Sequence, residues 1–490
     1  MELKHKQFLV FNLLLMVGLL FVILFHFNIV LPIEIGVVAL AIFSLFGVRF
    51  LNLSRLSVLP RLIIVLYSLP FITTLGYLFD KSYIWWEGVP LALQLQLDNL
   101  LIRYMLAMGL VGLIGLLTGI TLSGLLMRIR NKDLNIEKQV GNKTLNPIMF
   151  IGLLGVALFL SSLSAPKTTI FEAAYASLGT HGVAASINFG ASFLISYIIL
   201  ILLFIDMERE KKPQLQKRKL MSIFAAAAFI VFFLQLLRGD RESSGLVVGL
   251  IALYLTRPHA SPIQFDAQTV EWKRIRKLIL PVILLLLMFL VLGSARFTFS
   301  RAEGIRNFDL GDAIVGNLQR NTWTGVLLTN LGMAGQYRYG MEYYYGQTYI
   351  DYIRSLPPGI LTRALGIERP LDRKGSPNYW FPGISGGGIH IALVPFKNFG
   401  ILGMFVILTF YGFVLGNLEI ANMSGSFWPR LTYGAVTTSS FLWFWYGDMN
   451  IIRGVMAAVI LGWIYQSVTK PKIKIRSQSH RLVLQDSVYR

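Results

Sequence analysis

The stretch MELKHKQFLVFNLLLMVGLLFVILFHF, residues 1–27, decides the fold class. A short basic head is followed by about twenty almost wholly apolar residues, enough at helical rise to cross a hydrocarbon core of about 30 Å. The run is too long for the apolar part of a signal peptide, and no small-residue cleavage site follows it. It therefore reads as a retained first span.

Working outward, comparable runs lie near 30–48, 62–79, 100–126, 147–165, 187–205, 220–237, 244–256, 277–294, 398–418, 430–446 and 452–469. Open sheet edges cannot be satisfied in lipid, so each run is expected to be helical. The expected architecture is an all-α polytopic membrane protein with about twelve transmembrane helices. Nine spans fill residues 1–294. A large outer loop over 295–397 caps the bundle, three further spans fill 398–469, and a basic tail covers 470–490.

Composition agrees with this. Of 490 residues, 55% are hydrophobic and 14% charged, and the mean hydropathy is +0.61. Soluble domains carry about a quarter charged residues. There is no cysteine, which excludes disulfides, thiolate metal ligands and cysteine nucleophiles.

The formal charge of +20 is informative through its placement. With the N-terminus inside, the inner segments carry 28 Lys and Arg, and the outer ones carry 16. Eleven of those 16 lie between Arg296 and Lys397, in a loop long enough to escape the positive-inside rule. The short outer segments hold 5. That imbalance orients both termini to the cytosol and gives no reason to expect nucleic acid as a partner. The outer cations are mostly arginine, 12 against 4 lysines. A planar guanidinium binds carboxylate or phosphate bidentately, so this face suits anion recognition, unless a small sample has drifted toward arginine.

Four places could carry chemistry. In RGDRESSG, residues 238–245, the short apolar span that follows draws Arg238 and Arg241 to outer-leaflet depth beside Asp240 and Glu242. Such charges face a bound ion or pair with one another to close a hairpin. In GISGGGIHIALVPFKNFGILG, residues 383–403, a glycine run precedes His390, a candidate general base or a packed histidine. GQTYIDYIRSLPPGI, residues 346–360, follows Tyr343, Tyr344 and Tyr345; these rings and Tyr349 could stack on sugars or form an interfacial belt. Arg103, near the outer end of the fourth span, either pairs with Asp98 or contacts substrate; Arg296 and Arg338 in the long loop are further candidate contacts. No nucleotide-binding loop, metal-ligand spacing or serine-nucleophile elbow is present.

The layout of about a dozen spans with one long outer loop before the last three resembles the O-antigen polymerase (Wzy) family. GQTYIDYIRSLPPGI, then a glycine run, then KNFGILG opening a span, is similar to the pattern of those polymerases. Related O-antigen ligases carry an outer histidine followed by a glycine-containing segment, as His390 is followed here by Gly400 and Gly403. Ile391 stands where the ligases have a small polar residue, so the polymerases are the nearer resemblance.

The resemblance implies a glycosyltransferase of the bacterial inner membrane that joins undecaprenyl-pyrophosphate-linked oligosaccharides at the periplasmic face. With no metal-ligand spacing in the sequence, no metal and no cofactor are expected. The expected catalytic residues are His390, Arg241 and Glu242, with Arg238, Arg296, Arg338, Arg103 and Tyr349 binding substrate. The partners it implies are the lipid-linked oligosaccharide, membrane lipid and a chain-length-regulating co-polymerase. Two alternatives are a ligase delivering the glycan to lipid A core and, from a different class, a flippase of lipid-linked oligosaccharide.

Overall fold

The computed structural model describes residues 2–50, 58–72, 99–130, 183–209, 222–232, 243–256, 323–355, 389–446 and 450–469. Among these residues the chain is helical and contains no strand. The helices are α1 (Glu2–His26), α2 (Ile33–Phe50), α3 (Val58–Ile72), α4 (Asn99–Arg130), α5 (Val183–Arg209) and α6 (Ser222–Phe232). They continue with α7 (Ser243–Leu255), α8 (Trp323–Arg338), α9 (Gln347–Ser355), α10 (Leu393–Asn422), α11 (Phe427–Tyr446) and α12 (Asn450–Thr469).

Among the described residues, four segments are long and apolar enough to cross a membrane: Gln7–His26, Leu100–Leu126, Leu393–Asn422 and Ile451–Val468. Shorter apolar helices stand at Ile33–Val48, Val58–Phe71, Ser222–Phe232 and Gly245–Leu255. The protein is thus a helical membrane protein. The expected spans at 147–165 and 277–294, and most of the 295–397 loop, lie outside the described residues.

The helices pack in two groups. Around α4 stand α1, α2, α3, α8 and α10; around α11 stand α5, α7 and α12; α3 and α10 touch both α4 and α11. Burial follows that order, with α4 89% buried and the α1 and α12 windows only 22%. Phe8, Leu13, Met16 and Leu20 of α1 point outward, as do Val459, Ile460 and Trp463 of α12. In a membrane these faces meet acyl chains, which solvate apolar side chains as well as protein does.

Because lipid removes the hydrophobic drive between helices, close backbone approach must hold the centre together. The sequence GLVGLIGLLTG, residues 109–119, provides it. A Cβ on Gly119 would run into the Thr409 carbonyl of α10, and one on Gly412 would run into the Leu116 carbonyl of α4. Across the second group, Gly245 and Gly249 of α7 lie against Thr438 of α11, while Gly454 of α12 lies against Ser439.

One end of the bundle is tied by buried charge. Arg430 of α11 pairs with Glu208 of α5 and donates to the Leu253 and Thr256 carbonyls at the end of α7 and to Asn422 Oδ1, at 3.2, 3.2 and 3.3 Å respectively. Glu419 accepts the backbone N–H groups of Val58 and Leu59 at 3.1 Å each, so a carboxylate on α10 caps the first turn of α3. Tyr465 donates to Asp206 beside them. From this end α10 runs back toward the other, where His390 and residues 343–349 stand.

Candidate functional site

At that other end, α10 is broken. Gly400 takes φ +68 and ψ −165, a backbone shape that a side chain would strain, with the Tyr343 ring packed against it. The break leaves carbonyls of the turn before it in need of partners. Lys397 and Asn398 give theirs to the N–H groups of Tyr344 (3.1 Å) and Tyr345 (3.0 Å). The Asn398 side chain completes the latch: Oδ1 accepts Gly346 N–H at 2.9 Å, and Nδ2 donates to Thr348 Oγ1 and to the Val394 carbonyl. Three consecutive N–H groups of the tyrosine turn are therefore pinned to α10, which holds Tyr345 in the left-handed region at φ +45.

The expected tenth span was read from 398, but α10 begins at Leu393. Pro395, Lys397 and Asn398 lower the apolar count of that first stretch without preventing a helix, because a proline in the first turn has no intrahelical N–H to lose.

His390 precedes α10 and is fully buried. Nδ1 accepts the N–H of Ala392 at 3.3 Å, which fixes the tautomer, and Nε2–H donates to the Tyr67 carbonyl at 3.0 Å. Tyr67 and Phe71 of α3 meet its ring edge to face at 4.5 and 4.9 Å. Both nitrogens are spent inside the fold, and burial pushes the imidazole pKa down to about 3. This is the geometry of a residue that joins α3 to the start of α10.

A pH dependence follows. Below about pH 6.5 the unfolded chain gains a proton on this histidine that the folded chain refuses, so stability falls as pH drops toward 3. The slope from this one group reaches about 1.4 kcal/mol per pH unit. Thermal midpoints in detergent at about pH 7.5 and about pH 5 should separate more for the native chain than for His390→Gln. Equal separations would assign the acid sensitivity elsewhere.

The other expected residues divide. Arg103 donates to the Leu31 carbonyl through Nε at 3.0 Å and to the Val30 carbonyl through Nη2 at 2.6 Å, closing the α1–α2 connection. Tyr349 stacks on Phe399, with ring centroids 6.3 Å apart. Arg338 is exposed in the last turn of α8. Arg238, Asp240, Arg241, Glu242 and Arg296, with Asp98 and the glycines at 386–388, lie outside the described residues.

Two groups escaped the sequence reading. Lys397, beneath Tyr344, was visible only as part of the KNFG pattern. Arg430, Glu208 and Glu419 stood in segments weighed for net charge alone, and no short-range motif joins residues 208, 419 and 430. The chain matches no protein-family model, no curated protein and no solved structure.

Proposed function

We propose that this chain is a membrane glycosyltransferase that polymerises undecaprenyl-pyrophosphate-linked oligosaccharide units into O-antigen or a related surface polysaccharide. It would work at the periplasmic face of a bacterial inner membrane. It would have about twelve spans, both termini in the cytosol and the 295–397 loop over the outer end. The observation that carries the reading is the convergence on α10: the tyrosine turn with the GQTYIDYIRS that follows it is joined by Asn398 to KNFG, 52 positions on from Gly346. GQTYIDYIRS and KNFG are two of the segments on which the polymerase resemblance rests.

In the reaction, the acceptor hydroxyl attacks the anomeric carbon of the donor glycan and the bond to pyrophosphate breaks. Charge grows on that leaving group, so preorganised guanidinium groups stabilise the transition state more than the ground state, without calling on a metal. Arg238 and Arg241 are assigned this role, with Arg296 and Arg338 as further contacts. Both precede α7 in the sequence, and α7 opens away from the Arg430 cluster. With His390 engaged at both nitrogens, Glu242 is the better base for the acceptor proton, and His390 sets the start of α10. Tyr349 and its neighbours offer apolar ring faces to sugars.

Deletion in the source bacterium tests this against its rivals. A missing polymerase leaves single repeat units still exported and ligated, so each lipid A core carries one unit on a gel. Bare core with long polymer stranded on the lipid carrier would make the protein a ligase. Single units trapped on the cytosolic leaflet would make it a flippase.

A further inference from the structure

The protein treats its buried cations in two ways. Arg430 is neutralised by Glu208 and three further oxygens, and half-buried Arg103 by two backbone carbonyls. Lys397 is only 6% exposed, yet among the described residues no carboxylate stands within ion-pair distance of it. Its Nζ donates to Gln336 Oε1 at 3.3 Å and lies 4.7 Å from the centre of the Tyr344 ring. Both neighbours are neutral. Glu342, which is exposed, acts on it only from longer range.

An ammonium has three donors, and the described contacts use one of them conventionally. Leaving the other two dry is costly, and a methionine would fill the same space without that cost. Lipid-facing lysines escape by extending toward headgroups, but this one is packed under Tyr344 and beside Gln336, facing inward. An inward cation at the start of a membrane-crossing segment, with no carboxylate at ion-pair distance among the described residues, is what a bound anion completes.

The geometry points to Lys397 as a binding site for the phosphate group of a membrane-anchored phosphate ester, whether a polyprenyl pyrophosphate or an anionic lipid headgroup. The inference rests on the glycosyltransferase reading only for the first of these occupants. Gln336 orients the amine, and the Tyr344 face shields it from water, which strengthens its pull on an anion. The break at Gly400 fixes where Lys397 stands, because the carbonyl of the same residue is held by Tyr344 N–H.

The test uses the purified full chain in detergent, with binding read from the shift of its thermal midpoint on titration. The probes are geranyl pyrophosphate, inorganic pyrophosphate and phosphatidylglycerol. Geranyl pyrophosphate should stabilise the native chain and bind Lys397→Met about tenfold or more weakly. A second variant, Gln336→Glu, places a carboxylate against the amine at the same position. It should fold at or above the native midpoint while losing geranyl pyrophosphate binding to the same degree, so it reads the site even where Lys397→Met fails to fold. Native-like affinity in either folded variant overturns the proposal. Phosphatidylglycerol that competes with geranyl pyrophosphate in the native chain identifies a headgroup occupant; inorganic pyrophosphate that binds no more weakly than the geranyl ester overturns membrane anchorage. The single-unit gel pattern stands or falls separately, because deletion reports on the reaction whether or not Lys397 binds phosphate.

Discussion

Arg430→Ala should destabilise the protein by about 3–5 kcal/mol, the cost of leaving a buried partner charge uncompensated. Glu208 would face a void, and the Leu253 and Thr256 carbonyls and Asn422 would lose their common donor. The cost should exceed that of an ordinary core truncation because four elements lose their junction at once. Removing both charges with Arg430→Met and Glu208→Leu should recover most of the loss, since two matched apolar groups avoid the penalty of a stranded one. Denaturation in mixed micelles gives the comparison. A loss below about 1 kcal/mol in the single variant would show that the pair is screened by water and holds nothing together.

The second large effect should come from Gly119. Its missing side chain lets α4 approach the Thr409 carbonyl, so a methyl group there must push α4 and α10 apart along the most buried seam in the bundle. Gly119→Ala should lose about 1–3 kcal/mol, and Gly119→Leu should fail to yield a stable protein. Gly335→Ala on α8 is the control, since the nearest atom to its added carbon is Leu101 Cδ1 at 4.0 Å. That substitution should be neutral or mildly stabilising, because alanine favours helix over glycine. If Gly119→Ala matched it, the seam would be looser than its backbone contacts imply.

These two residues mark what can be read from a linear chain and what cannot. Hydropathy located α1, α4 and α12 to within a few residues, because crossing lipid imposes a length and a composition that any long apolar run displays. It missed the first stretch of α10, where Pro395 and Lys397 look like loop residues and are helical. The Gly400 break left no trace in composition, since glycine is common in membrane helices and only the backbone angle distinguishes a packing glycine from a breaking one. Charge counting treated Arg430 and Glu208 as independent marks of a side; their pairing depends on α5 meeting α11.

At the candidate site GQTY at 346–349 and Lys397–Asn398, parts of one sequence pattern, do stand together. His390 stands in the sequence as either a candidate general base or a packed histidine, because a sequence shows a histidine's position and not the state of its two nitrogens. The Tyr67 carbonyl that occupies one of them sits 323 positions away.

The cap that Glu419 places on α3 has a consequence in time. The acceptor for the Val58 N–H lies 361 residues downstream. At about 5–20 residues per second, a ribosome would need roughly 20–70 s after making the first turn of α3 before that carboxylate exists. Throughout that interval those N–H groups must borrow water, headgroups or a helper protein. The early helices can enter the membrane, but α3 cannot settle until nearly the whole chain has been made, so truncations anywhere before residue 419 should yield the same unfinished bundle and invite the same degradation.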